Sequence, residues 1–223
     1  MKKILLAGNA ITAEILSAYL RRDARYEVAG ITVDDEFVAQ GGVGGYRTVG
    51  LSEAISAFSP DTHRVIMAMG YSDLNRSRET MFGRLRAMGY GIETYIHPDA
   101  RVYTDQPVGE GSVVLPGAVI EPHARVGVNT MIWSNVTLAH HSSVDDHCWV
   151  AAGTVVSGQA KVLRNTFLGV NSTVVNAVTV GEFNIVGASA LISRDTKPES
   201  VHLARSAEPF RYSSEDYVKH FGI

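Results

Sequence analysis

Residues 138–161 read LAHHSS-VDDHCW-VAAGTV-VSGQAK. Each six opens on an aliphatic residue, Leu138, Val144, Val150 or Val156, and carries a small one four places on, at Ser142, Cys148, Thr154 or Ala160. Outward from there the step holds without insertion or deletion. It runs back through Ile132, Val126, Ile120, Val114 and Val108 to Val102, and forward through Val162, Leu168, Val174, Val180 and Val186 to Ile192. A helix needs apolar residues at mixed threes and fours, and an ordinary strand needs them at twos, so a strict six fits neither. It fits a parallel β-helix in which each six is one short strand and a turn. The aliphatic residue points to the axis, the small one fills a corner, and the two between form a turn outside.

The chain has 223 residues, 45% of them hydrophobic and 19% charged, enough for two modest cores. A net charge of -3 gives no electrostatic case for nucleic acid, and no Lys/Arg cluster suggests a membrane surface. Cys148, the only cysteine, falls on an inward corner and reads as a buried, reduced small hydrophobe. The apolar run after Met1-Lys2-Lys3 is broken by Gly8-Asn9 and Glu14, too short for a secretory leader, and no stretch approaches a membrane span. A cytoplasmic protein is expected.

Upstream of the sixes, strands are expected at 3–8, 26–32, 64–69 and 92–96, with a short one at 46–49 inside the glycine-rich loop 41–50. Helices are expected at 11–22, with apolar positions 11, 15, 16, 19 and 20, at 52–58 and at 73–88. This alternation implies a small Rossmann-like parallel sheet covered by helices, an α/β domain over residues 1–98. The β-helix then takes 99–195. Residues 196–223 form a tail with a short helix at 214–221, placed to cover the open end of the β-helix.

Two groups of residues carry chemistry. The turn Gly8-Asn9-Ala10 is not a dinucleotide fingerprint, yet a strand-turn-helix there aims backbone N–H groups and a positive helix end at a ligand. Asp34-Asp35 after the second strand could accept hydrogen bonds from a ribose or base edge, and Gly70 ends the third strand on the same side of the sheet. The second group is His140-His141, on outward turn positions, with His123 one coil of 18 residues before His141 and His147 six residues after it. Imidazole suits general-base work on an amine or hydroxyl. It also suits zinc, for which His123, His141 and His147 are the alternative set.

The repeat resembles that of hexapeptide-repeat acyltransferases with a left-handed β-helix, in which three sixes make one triangular coil. That implies about five coils, roughly 25 Å of prism at strand spacing. With its α/β domain, nearly the whole chain resembles the NeuD-like sugar acyltransferases. The resemblance implies a nucleotide held at Gly8, Asn9, Ala10 and Thr12, at Asp34 and Asp35, and at Gly70. Where relatives carry glycine-histidine in the first turn, this chain has Ala10-Ile11-Thr12. It further implies His140 as the base and His141 in the place of the relatives' acidic residue, with the reverse assignment open.

The resemblance also implies that acyl-CoA, most simply acetyl-CoA, lies in a groove between prisms, against Trp149, Gly158, Val170, Gly187 and Ala188. Arg205 would reach a CoA phosphate. Trp149 could equally be a contact between prisms, which a trimer would cover together with Met131. The expected enzyme is an N-acyltransferase of a nucleotide-linked amino-deoxysugar, a homotrimer needing no metal, with a backbone N–H near Gly158 steadying the oxyanion. Alternatives are an O-acetyltransferase of sialic acid or a sugar, a metal-dependent protein like the γ-type carbonic anhydrases, and a non-enzymatic scaffold. The sequence does not specify the sugar, the nucleotide or the acyl length.

Overall fold

The computed structural model describes residues 1–40 and 42–222; the start of the loop expected at 41–50 and the last residue of the tail lie outside them. The N-terminal sheet is parallel throughout, in the order β3-β2-β1-β4-β5. Its strands are β1 (Lys2–Ala7), β2 (Tyr26–Val33), β3 (Thr48–Gly50), β4 (His63–Met67) and β5 (Gly91–Ile92). Ile4, Leu5, Leu6 and Ala7 are all fully buried, because a central strand covered on both faces has no polar side to present. The connecting helices are α1 (Ile11–Leu20), α2 (Leu51–Ala57) and α3 (Arg76–Ala87).

Three sequence expectations shift in this domain. The buried face of α1 is Thr12, Ala13, Leu16, Ser17 and Leu20, and Ile11 is exposed. α3 begins at Arg76, because Asp73, Leu74 and Asn75 form a left-handed turn with φ of 50°, 49° and 65°. The strand expected over 92–96 is two strands: β5 closes the N-terminal sheet, whereas Tyr95–Ile96 pairs with Val113–Val114.

That second pairing starts the prism. Its first face stacks strands at Tyr95–Ile96, Val113–Val114, Met131–Ile132, Trp149–Val150, Phe167–Leu168 and Ile185–Val186, closed by Val201–His202. The second face stacks Arg101–Val102, Val119–Ile120, Thr137–Leu138, Val155–Val156, Thr173–Val174 and Leu191–Ile192. The third stacks Arg125–Val126, Ser143–Val144, Lys161–Val162 and Thr179–Val180. Up to the closing strand, paired residues stand 18 apart, as in Thr137 with Val155, so three sixes make one coil of a left-handed parallel β-helix.

The aliphatic residue of each six points inward, and Ile120, Leu138, Val156 and Val174 are fully buried. The small residues also work as hydrogen-bond donors. The hydroxyls of Ser112, Thr130, Thr154 and Thr166 each donate to a carbonyl 15 residues ahead, and the Cys148 thiol does the same to Leu163 O at 3.2 Å. Burial pushes that thiol up to about 12, so it remains protonated. Every sixth residue from Gly111 to Ser189 has a positive φ, which explains the glycines and asparagines of that column.

The N-terminal domain lies on the first face. Tyr95, Val113, Met131 and Trp149 share a core cluster with Leu16, Leu20 and Ile66. Tyr71 packs its ring on Trp149 and Phe167, at 5.1 and 4.6 Å between centroids. Arg78, fully buried, ties the two parts together. Its guanidinium donates to Gly70 O and Asn75 Oδ1 on one side, and to Asn129 O, His147 O and Cys148 O of the prism on the other. Burial pushes its pKa down to about 10, which leaves it charged at neutral pH. The tail ends in α4 (Ser214–Phe221), capped by the Ser213 hydroxyl, with no buried residue.

Candidate active site

A cavity of about 330 Å³ opens at the carboxyl end of the N-terminal sheet, as the doubly wound topology requires. Gly8, Asn9, Ala10, Asp34 and Gly70 all line it, with Phe37 and Met69. Gly8 has φ of 123°, and a Cβ there would stand 2.7 Å from Ala68 O, so only glycine lets the first turn pass so close to β4. The N-cap residue of α1, Ala10, has no side chain that could cap it, and it lines this cavity. The Asp34 carboxylate is paired with Arg84.

Two expected members of this group stand elsewhere. Thr12 is buried inside the first turn of α1. Asp35 accepts hydrogen bonds from the Ser52 N–H and hydroxyl, at 3.1 and 3.0 Å, and so caps α2.

His140 and His141 sit on the edge where the second and third faces meet, opposite the face that the N-terminal domain covers. His141 takes the left-handed position of its turn, with φ of 59°, and its ring stacks on His123 at 4.6 Å. The two Nδ1 atoms of His140 and His141 are 3.3 Å apart. Glu121 accepts the backbone N–H of His140 at 2.7 Å. Directly along the prism lies Gly158, where a Cβ would come within 2.6 Å of His140 Cε1 and 2.7 Å of Nε2. Among the described residues, the Gly158 N–H has no acceptor. The imidazole of His140 thus lies against the backbone of Gly158 on this edge. On the His141 side, a cavity of about 360 Å³ is lined by Gln106, His123, Arg125, Ser143 and Lys161.

The remaining expected ligand contacts are dispersed. Val170 and the Gly187-Ala188 turn lie on the edge between the first and second faces, held together by a hydrogen bond from Ser189 N–H to Val170 O. Arg205 is exposed in the tail. Trp149 is buried, between Tyr71, Trp133 and the Arg78 guanidinium, because the N-terminal domain already occupies its face. That domain therefore covers Trp149 and Met131 within one chain, where a contact between prisms or with CoA was expected.

His147 occupies the edge between the third and first faces, bonded to Asn129 Nδ2 at 2.9 Å. It does not join His123 and His141 within the chain, and no group of metal-ligating side chains forms among the described residues. No described helix is long and apolar enough to cross a membrane. Asn75 and Arg78, to which no sequence motif gives a role, mark the junction of the two domains.

No family model and no curated protein matches the sequence. Solved structures do. A histidine-to-asparagine mutant of perosamine N-acetyltransferase from Caulobacter crescentus, in complex with CoA and GDP-perosamine, is 25% identical, with 91% of this chain and 93% of that one aligned at a TM-score of 0.81. The acetyltransferase domain of PglB from Neisseria gonorrhoeae, in complex with acetyl coenzyme A, is also 25% identical over 94% and 99% of the two chains, with a TM-score of 0.56. WeeI from Acinetobacter baumannii shares the fold at 16% identity, 89% and 94% coverage and a TM-score of 0.79. The fold is the one these acetyltransferases share. Among them, the perosamine N-acetyltransferase is matched along nearly its whole length.

Proposed function

We propose that this enzyme moves an acetyl group from acetyl-CoA to the amine of a nucleotide-linked amino-deoxysugar, with His140 as general base. The observation that carries this is the exposed His140 imidazole packed against the backbone of Gly158, whose N–H has no acceptor among the described residues. As the amine nitrogen attacks the thioester carbonyl, His140 takes its proton, the Gly158 N–H donates to the developing oxyanion, and the proton returns to the departing sulfur. The perosamine enzyme crystallised with CoA and a GDP-sugar supports the same pair of substrates here.

The nucleotide belongs in the cavity lined by Gly8, Asp34 and Gly70. That cavity lies in the domain on the first face, whereas His140 lies on the opposite edge. One chain cannot present both to one substrate, so a neighbouring copy supplies the histidine edge. A closed ring of three completes every site alike.

The test is mass spectrometry of products from acetyl-CoA and a panel of nucleotide-linked amino sugars, with wild type and His140→Ala. An N-acetylated product that falls by about 10²–10⁴ in rate in the variant is the expected result. No product with any sugar, or an unchanged rate in the variant, overturns the proposal.

A further inference from the structure

We infer that His141 is a positioning residue that permits the working tautomer of His140 by accepting its Nδ1 hydrogen as an uncharged ring, so that the base operates only when both rings are neutral. This rests on His140 being the base.

The two Nδ1 atoms are 3.3 Å apart and the rings meet edge-on, at 81° between planes, the geometry of one N–H pointing at one lone pair. His141 is held in place by its left-handed backbone and by the ring of His123 stacked on it. Glu121, the carboxylate of this edge, is engaged by the backbone N–H of His140 and by neither ring. Arg125 and Lys161 are the charged groups that share the His141 cavity, and Gly158 is the backbone against His140.

One hydrogen occupies the space between the two Nδ1 atoms. When His140 holds it, His140 Nε2 keeps its lone pair beside Gly158 and can accept a proton from the substrate amine. When His141 holds it, His140 must carry its own hydrogen on Nε2, and the base is blocked. Protonating His141 makes it a donor at both nitrogens and enforces the blocked arrangement. Protonating His140 fills Nε2 directly. Either proton silences the site, unlike a carboxylate partner, which accepts throughout.

The acid limb of kcat should therefore steepen to second order in protons in the wild type. His141→Asn keeps an uncharged acceptor that suits a left-handed turn, so its turnover should stay within about threefold of wild type with a limb one order shallower. His141→Phe removes the acceptor, and its turnover should drop by about tenfold or more with an unchanged KM for acetyl-CoA. A first-order wild-type limb, a second-order limb persisting in His141→Asn, or full turnover in His141→Phe overturns the inference. His140→Ala run alongside separates the two failures, since full turnover there removes the base itself. Melting curves of each variant, unchanged from wild type, confine the effects to the site.

Discussion

The imidazole of His140 lies so close to the Cα of Gly158, one coil along the prism, that a single methyl group at Gly158 would overlap it, at 2.6 Å from Cε1. The backbone of Gly158 is not in the positive-φ set, so alanine is tolerable there as backbone. The exposed histidine is what must move. Gly158→Ala should leave the melting temperature within a few degrees of wild type and lower kcat by about 10²-fold, the scale of a displaced base. A variant with normal kcat would mean that His140 works in another position.

The aliphatic sixes made the prism legible, because a period of six admits one architecture and its inward positions do prove fully buried, as at Leu138 and Val156. The histidine edge was legible for the same reason, since spacing by 18 places His123 beside His141. What spacing cannot show is which face a second domain will cover. Trp149 points outward in the repeat as any surface residue would, and only the packing of Tyr71, Trp133 and Arg78 on it reveals an interior position. Asp34 and Asp35 are likewise indistinguishable in sequence. The chain turns between them, leaving Asp34 on the cavity with its carboxylate paired to Arg84 and sending the Asp35 carboxylate to the N-terminus of α2.

That divergence makes the two aspartates separable by experiment. Asp35→Ala removes a helix cap and should cost about 1 kcal/mol of stability, read from the denaturation midpoint, with little change in binding. Asp34→Ala should weaken the nucleotide sugar by calorimetry while leaving acetyl-CoA affinity unchanged. If Asp35→Ala instead abolishes sugar-nucleotide binding in a stably folded protein, the cavity has been assigned to the wrong carboxylate.

Arg78 should behave as a structural residue of unusual weight. Its five acceptors are four backbone carbonyls and the Asn75 side chain, and none is a carboxylate that water could take over. Arg78→Ala leaves several buried acceptors without donors, at about 1–3 kcal/mol each, so the variant should lose roughly 3 kcal/mol or more. Limited proteolysis should then cut near the left-handed turn at Asp73–Asn75, which Asn75 anchors to Asn165 O. Wild-type stability in Arg78→Ala would show that the domains are held by apolar contact alone.

The placement of the cavity and of His140 on opposite sides of one chain leads to the strictest test of a shared site. Gly70 lines the cavity, and a Cβ there meets nothing within 4 Å, so Gly70→Phe should fill the cavity without disturbing the fold. Alone, Gly70→Phe and His140→Ala should each be inactive. Co-expressed and assembled at random, they should recover roughly a quarter of wild-type activity, because one site in four then joins an open cavity from one copy to an intact histidine from the next. A site built within one chain would recover nothing, since neither variant carries both halves. Light scattering that finds a monomer at micromolar concentration would reject the shared site before any mixing.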